Sequence, residues 1–349
     1  MSGTTKKKSI IIVFPGQGSQ YVGMGKSFLS SENSQYKHLH EYFVRADRAL
    51  SSTIDYPLSE IVFNGPQEKL KLTQNTQPAL VTYEVALFSE VKKILDSKNI
   101  AIDFVLGHSV GEYSCLVAAE VLDFEDAVRV VNLRGKYMQE AVPVGVGKMI
   151  AILKVPEESV RSACIEASKS GDGVNCEEVM PANYNDPDQI VISGHVAACD
   201  RVIKILEERV APSRVRYVPL EVSAPFHSTL MRPAAQRLES ELQKIQFNKN
   251  KITYIANVDA KEYKVGSDPN IIRMNLVNQV AGSVLWSQSM KVPQSENGNV
   301  DNQISEILCI EVGPGKVLKG MIKKIRPEMK VISVCDENSF SELIKELDS

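Results

Sequence analysis

The chain alternates between short runs of apolar residues and longer stretches in which apolar positions return every three or four residues. The short runs predict strands, and the one at 9–14 has no polar alternation, which is typical of a strand covered on both faces in a parallel sheet. Further strands are predicted at 104–106, 252–256, 307–312 and 330–334. Helical patterns dominate 35–101 and return at 124–142, 270–280, 283–290 and 337–347. This order predicts an α/β fold with a parallel sheet.

The order of predicted elements changes after residues 143–147, which contain one proline and two glycines. The order becomes βαββαβ, with strands at 149–155, 179–183, 189–193 and 215–220 and helices at 156–168 and 195–210. This is the order of the split βαβ, or ferredoxin-like, unit. We therefore predict a large α/β domain, made of residues 1–143 and 218–349, and an inserted ferredoxin-like α+β subdomain at 144–217. A polar surface loop is predicted at 294–303.

Composition and charge exclude several classes of function. A chain of 349 residues with 43% apolar and 24% charged residues has the size and composition of a globular protein with two domains. The net charge of −3 argues against nucleic-acid binding and against polybasic contact with a membrane surface. No apolar run approaches the roughly 18 residues that a membrane-spanning helix needs.

The cysteines and the first residues bear on the compartment. The six cysteines show no Cys-x-x-Cys spacing, which favours reduced, buried thiols in an intracellular protein. Residues 1–9 are rich in lysine and match neither a secretory signal nor an arginine-rich transit peptide. We therefore expect an intracellular protein, cytoplasmic as the chain reads, or in the mitochondrial matrix if a transit peptide has been removed.

The candidate nucleophile lies at 107–111, where Gly-His-Ser-Val-Gly separates a predicted strand from a predicted helix. In such a turn the serine is strained and its hydroxyl is exposed, while the N–H groups of the new helix face any developing negative charge. Ser109 is therefore a candidate nucleophile, and the large domain is expected to be α/β-hydrolase-like. The alternative is a tight turn whose serine only caps the helix. His108 is expected to point to the opposite side of the turn.

Two further residues fit a site around Ser109. His227 lies in a short loop where the chain re-enters the large domain, and it is the leading candidate for the base that a serine nucleophile needs, although many loop histidines are surface residues. Arg134 lies on the apolar side of the helix predicted at 124–142, where an unpaired buried charge is costly. Its guanidinium either extends to solvent at the edge of the apolar face or pairs with a structural carboxylate. The alternative is that it binds an anionic ligand such as a carboxylate.

The glycine-rich segment at 15–25 superficially suggests a phosphate-binding loop. It lacks the Gly-Lys-Ser/Thr ending of such a loop, and no acidic residue about 20 positions later closes a dinucleotide-binding strand. We interpret it as a loop in which the backbone approaches another element closely.

Seven short motifs follow one another from the first predicted strand almost to the last, at 14–20, 107–112, 133–139, 183–185, 224–228, 278–286 and 311–315. Together and in this order they resemble the motifs of the malonyl-CoA:acyl-carrier-protein transacylases, which are related to the acyltransferase domains of fatty-acid and polyketide synthases. The resemblance covers nearly the whole chain. It departs from the family at 281–283, where Ala-Gly-Ser stands near the place of an asparagine-proline pair that members often carry.

The resemblance implies a role for each site residue. Ser109 would be acylated, His227 would be its base, and Arg134 would bind the free carboxylate of malonyl. The backbone N–H groups of Gln17 and Val110 would form the oxyanion hole. Positions that line the pocket or orient the catalytic pair would be Met138, Asn183, Asn185, Phe226 and Gln279, with Phe226 as the malonyl-selecting version of its motif.

The implied reaction is transfer of malonyl from malonyl-CoA to the phosphopantetheine thiol of acyl carrier protein, through a malonyl-serine intermediate, in type II fatty-acid or polyketide synthesis. The resemblance implies no metal or redox cofactor and a monomer, and the net charge and apolar runs predict no nucleic-acid or membrane partner. Two other functions stay open. An α/β-hydrolase-type serine esterase or thioesterase would need a buried acid between Ser109 and His227 in the chain. A catalytically inactive carrier-protein-binding subunit would need neither residue.

Overall fold

Two β-sheets organise the residues that the computed structural model describes, which are 7–29, 34–169, 177–210, 216–222, 224–293 and 304–349. The strands are β1 (Lys7–Phe14), β2 (Phe104–Gly107), β3 (Gly147–Leu153), β4 (Val179–Asp186), β5 (Gln189–His195), β6 (Arg216–Pro219), β7 (Thr253–Ile255), β8 (Glu262–Tyr263), β9 (Ile304–Val312) and β10 (Lys330–Val334). The helices are α1 (Lys37–Leu50), α2 (Leu58–Asn64), α3 (Gln67–Lys71), α4 (Thr73–Ser97), α5 (Gly111–Ala118), α6 (Phe124–Glu140), α7 (Glu157–Lys169), α8 (Val196–Arg209), α9 (Arg232–Leu242), α10 (Pro269–Ala281), α11 (Trp286–Ser289), α12 (Val317–Ile325) and α13 (Glu337–Leu347).

The first sheet forms the centre of the large domain. Its strands lie in the order β10-β9-β1-β2-β7-β8, and all neighbours are parallel except the β7–β8 pair at one edge. Alternate residues of β1 enter two different apolar clusters, Ile10 and Ile12 on one face and Ile11 and Val13 on the other. Because both faces are covered, the strand needs apolar residues at every position, as its sequence shows.

The second sheet is smaller and entirely antiparallel. Its order is β4-β5-β3-β6, and α7 and α8 supply the apolar side chains that pack against it. The combination of a largely parallel α/β sheet with a separate α+β unit confirms the predicted fold class. The strands of this unit lie between residues 147 and 219, and the domain boundaries given above remain predictions.

Strand β4 attaches the small sheet to the large domain. The Tyr184 N–H donates to the Val284 carbonyl at 3.0 Å, and the Val284 N–H donates to the Ala182 carbonyl at 2.8 Å. Asp186, at the end of β4, forms an ion pair with Lys324 of α12 at 3.2 Å. These contacts hold the residues of β4 at the edge of the large domain.

Some element predictions differ from the structure. The helix predicted at 283–290 forms only as the single turn α11, because Val284 is used in the bridge to β4. Helix α9 and the short strand β8 were not predicted. The loop predicted at 294–303 lies outside the described residues. Among the described helices, none combines the length and the apolar character needed to cross a membrane.

Candidate active site

Ser109 lies in a sharp turn between β2 and α5. Its φ of +53° is a left-handed conformation that a serine adopts at a cost. The turn closes only because glycine stands at both ends of the motif. A Cβ on Gly107 would lie 2.0 Å from the Gly111 carbonyl carbon, and a Cβ on Gly111 would lie 2.4 Å from the Phe14 carbonyl oxygen. The strand–turn–helix expected at 107–111 is therefore present and strained at the serine.

The base candidate meets the serine hydroxyl directly. His227 Nε2 lies 2.7 Å from Ser109 Oγ, and His227 Nδ1 lies 2.9 Å from the backbone carbonyl oxygen of Gln279. Since a carbonyl only accepts, Nδ1 carries the proton and Nε2 is left as the acceptor that faces the serine. Burial, followed by the positive charge of Arg134, lowers the pKa of His227 to about 3. The imidazole is therefore neutral and ready to take a proton.

Arg134 of α6 is a buried guanidinium beside the serine, with 1% of the residue exposed. Its Nη1 donates to Gln77 Oε1 at 2.8 Å, and its Nη2 donates to Gln279 Oε1 at 2.8 Å and to Ser109 Oγ at 3.2 Å. Its Nε has no partner among the described residues. All the acceptors in these contacts are neutral. The guanidinium is therefore hydrogen-bonded, but no carboxylate touches it. Because a buried charge is costly without a counter-ion, the site is suited to an anionic ligand.

Gln17 and Val110, whose backbone N–H groups are expected to form the oxyanion hole, belong to two different loops. Val110 follows Ser109 directly, and Gln17 belongs to the loop after β1. That loop packs tightly onto the turn, since a Cβ on Gly16 would lie 2.8 Å from the His108 carbonyl oxygen. Neither N–H makes a hydrogen bond within the described part of the chain. Both are thus free to donate to an oxyanion.

A cavity of about 470 Å³ opens in front of Ser109. It reaches from the turn to the small sheet, and its lining includes the predicted residues Gln17, Arg134, Met138, Asn183, Asn185, Phe226 and His227. Gln279 is not part of the lining and lies behind Arg134, where it contacts both the guanidinium and His227. The structure therefore brings the predicted residues together, with Gln279 as a support and not as a wall of the pocket.

Several residues of the site were not predicted or were placed wrongly. His108 does not point away from the site but lines the same cavity, with Nε2 2.9 Å from Asn185 Oδ1. Gln77 binds the guanidinium from the side opposite to Gln279, and Asn257 Oδ1 accepts from the Ser109 N–H at 2.7 Å. Glu112 is fully buried behind the turn. Glu112 ends the motif at 107–112 and is a polar residue within an apolar stretch, but neither signal reveals its partner.

Comparisons with known proteins agree on one family. The acyl transferase domain family matches residues 11–298. The chain is similar to the malonyl CoA-acyl carrier protein transacylase of Haemophilus influenzae, with 40% identity over 334 residues, which are 96% of this chain and 97% of the relative. It is also similar to the protein of the same name from Escherichia coli strain K12, with 42% identity over 313 residues, 90% of this chain and 91% of the relative.

Solved structures give the same result. The malonyl CoA-acyl carrier protein transacylase of Coxiella burnetii superposes with a TM-score of 0.83 at 36% identity and covers 99% of both chains. A malonyl-transacylase solved in complex with a type II PKS acyl-carrier protein superposes with a TM-score of 0.82 at 34% identity, over 97% of this chain and 100% of that one. At these identities and coverages the likeness extends beyond the fold to the family.

Proposed function

This chain belongs to the malonyl CoA-acyl carrier protein transacylases of the acyl transferase domain family, and from that premise we propose the reaction that it performs. It transfers the malonyl group of malonyl-CoA to the phosphopantetheine thiol of acyl carrier protein, through a malonyl ester of Ser109. The product supplies type II fatty-acid or polyketide synthesis.

The first half-reaction acylates the serine. His227 Nε2, 2.7 Å from the hydroxyl, takes the Ser109 proton while Oγ attacks the thioester carbonyl. The N–H groups of Gln17 and Val110 stabilise the oxyanion, and loss of one such donor typically slows a reaction of this kind about 100-fold or more. The C–S bond then breaks, and the departing coenzyme A sulfur receives the proton from His227. The products are the malonyl ester and coenzyme A thiol.

The second half-reaction returns the enzyme to its starting state. His227 takes the proton of the phosphopantetheine thiol, and the sulfur attacks the ester carbonyl. The C–O bond to Ser109 breaks, and Oγ regains its proton from His227. Sulfur and oxygen exchange positions on the same acyl carbon, so no electron leaves the substrates. We propose accordingly that the reaction needs no metal and no redox cofactor.

The observation that carries this proposal is the position of Arg134. Its Nη2 lies 3.2 Å from the nucleophilic oxygen, inside a buried site whose other contacts to it are neutral. In malonyl-CoA a carboxylate lies one methylene away from the reacting carbonyl. When Oγ attacks that carbonyl, the carboxylate comes within reach of the planar fork of the guanidinium. A neutral acyl group would leave the guanidinium with neutral hydrogen-bond acceptors and no anion in direct contact.

The two alternative functions receive less support from the site. A serine hydrolase of the α/β-hydrolase type orients its histidine with a buried acid, whereas His227 Nδ1 meets the Gln279 carbonyl oxygen. A catalytically inactive subunit gives no reason for a strained Ser109 in contact with a neutral histidine. Thioester exchange does not need the acid, because a thiolate is a good leaving group.

Intact-protein mass spectrometry tests the proposal. Brief incubation with malonyl-CoA should add one malonyl group to the native chain and none to Ser109→Ala, and holo acyl carrier protein should then remove the group and carry it. A native chain that is folded but never gains the adduct would contradict acyl transfer. An adduct that water removes faster than the carrier protein does would favour a thioesterase.

We also propose that the protein works inside the cell. Malonyl-CoA and carrier protein are intracellular substrates, and the described cysteines are free thiols.

A further inference from the structure

Glu112 is a buried carboxyl group that the reaction described above does not use. It belongs to the first turn of α5, one helical turn after Ser109, and it has no exposed surface. A buried carboxyl is costly unless its oxygens are hydrogen-bonded. Glu112 accepts from the Tyr254 hydroxyl, from Gln279 Nε2 at 2.5 Å and from the Asn257 N–H at 3.4 Å. Its closest link to the site is therefore Gln279.

Gln279 is connected to all three groups that the proposed reaction needs. Its side-chain oxygen accepts from Arg134 Nη2 at 2.8 Å, and its backbone carbonyl accepts from His227 Nδ1. Its side-chain Nε2 donates to the Ser109 carbonyl at 2.9 Å as well as to Glu112. The amide therefore has a defined direction, with its oxygen towards the guanidinium and its nitrogen towards the carboxyl group.

We propose that Glu112 is a positioning residue for malonyl selection, which in its carboxylate form holds the Gln279 side chain with the amide oxygen facing Arg134. This inference rests on the proposed function. A carboxylate only accepts hydrogen bonds, so it fixes the amide nitrogen on its own side. With the amide reversed, an NH₂ group would face the Arg134 guanidinium, donor against donor. Arg134 would then be displaced from the place where the malonyl carboxylate meets it.

Protonation of Glu112 would weaken this constraint, because the Ser109 carbonyl at 2.9 Å would then be the nearest acceptor-only group that holds the amide nitrogen. A protonated carboxyl can donate a hydrogen bond and so tolerates either direction of the Gln279 amide. Burial, the largest cause, raises the pKa of Glu112 to about 7. Malonyl selection should therefore weaken as the pH falls through about 7, whereas a neutral acyl group should be transferred as before.

Within the described part of the chain, the other titratable groups that face Glu112 do not titrate in this range. The titratable groups that face it are Arg134 of α6, Tyr254 of β7, Tyr263 of β8, and Tyr113 and Cys115 of its own helix. Burial raises the pKa of each of these tyrosines and of the thiol, and an arginine stays charged. The pKa of His227 is lowered to about 3. Burial also raises the pKa of Glu84 of α4, which is bonded to Ser114 of α5, so comparison of Glu112→Gln with Glu84→Gln assigns a change in selectivity near pH 7.

The experiment compares acylation of Ser109 by malonyl-CoA and by acetyl-CoA, followed by rapid quenching and intact-mass analysis. In Glu112→Gln the new side chain has an NH₂ donor group beside its acceptor oxygen, so it no longer holds the Gln279 amide nitrogen as a carboxylate does. We expect malonyl acylation to fall about 10- to 100-fold and acetyl acylation to change less than about threefold. The matched control is Glu84→Gln. Glu84 is also fully buried, and its Oε2 accepts from Ser114 Oγ at 2.5 Å, outside the site. We expect Glu84→Gln to keep the native ratio of the two rates.

Two further measurements separate positioning from a structural role. The native protein, which needs no variant to fold, should lose its malonyl-to-acetyl ratio between about pH 8 and about pH 6, and Glu112→Gln should show a flat ratio. In a Gln279→Met background, Glu112→Gln should change the ratio no further, since its effect passes through Gln279. Equal losses for both substrates, a flat native ratio, or additive effects in the double variant would each overturn the proposal. A native chain that forms no malonyl ester would instead overturn the proposed function, and this inference with it.

Discussion

Replacing Arg134 by methionine tests the assignment of the buried guanidinium to the malonyl carboxylate. Methionine preserves most of the side-chain length in a position of which 1% is exposed, and it removes the charge. A hydrogen bond to a charged group contributes about 1.5–3 kcal/mol, and a fork on a carboxylate makes two of them. The lost stabilisation is then about 3–6 kcal/mol, which corresponds to a fall in kcat/KM for malonyl-CoA of about 10²- to 10⁴-fold.

Acetyl-CoA provides the internal reference, because acetyl has no carboxylate. With this substrate Arg134→Met loses the 3.2 Å contact to Ser109 Oγ and the contacts to Gln77 and Gln279, but no contact to a substrate carboxylate, so kcat/KM should fall less than about tenfold. The assay is rapid-quench acylation of Ser109 with each substrate. Arg201→Met is the matched control, since Arg201 is another partly buried arginine, paired with Glu177 in the small subdomain. It should leave both rates unchanged. Equal losses with the two substrates in Arg134→Met would refute the assignment.

Four further predictions concern the turn at Ser109, the base His227 and the loop after β1. In urea unfolding, the free energy of unfolding of Ser109→Gly should be about 1 kcal/mol higher than that of Ser109→Ala, because both variants lack the hydroxyl and only glycine adopts the φ of +53° without strain. Equal unfolding midpoints would mean that the turn is not strained. The rate of Ser109 acetylation should stay constant from about pH 8 to about pH 5, because the pKa of His227 is lowered to about 3. A fall in this rate centred near pH 6.5 would argue against His227 as the base. For the same reason the native protein should lose stability relative to His227→Gln as the pH falls from 6.5 towards about 3, because the unfolded chain binds a proton that the folded chain does not. Gly16→Ala should slow acylation about tenfold, because the added carbon would lie 2.8 Å from the His108 carbonyl oxygen. Gly320→Ala should have no effect, because the added carbon would have no described atom within 4 Å beyond its chain neighbours and its own helix backbone.

The main features of the site could be predicted because their signals are local. A strand, a glycine-flanked serine and a helix are adjacent in the chain, so the turn at 107–111 can be recognised without knowing the rest of the fold. Arg134 could be singled out because it lies on the apolar side of an amphipathic helix. His227 was a weaker prediction, since nothing near it in the chain indicates the serine 118 positions away.

The supporting contacts could not be predicted, because they join distant residues of ordinary type. Glu112 and Gln279 are 167 positions apart, and each alone resembles a common helical residue. The orientation of His108 was predicted wrongly, since it depends on the contact with Asn185 of the small sheet. Helix α9 was missed although a signal was available. Its apolar positions at 234, 235, 238 and 242 recur at helical spacing, and proline stands in its first turn.

The group that orients His227, the proposed base, is a main-chain oxygen, that of Gln279 near the end of α10. Every amino acid supplies such an oxygen, so no replacement at this position can delete it. A scan that exchanges side chains one at a time would pass over this contact and report only the loss of the amide. What the base depends on is the path of the backbone, so insertions, deletions or helix-breaking residues in the last turn of α10 are the changes that would disable it.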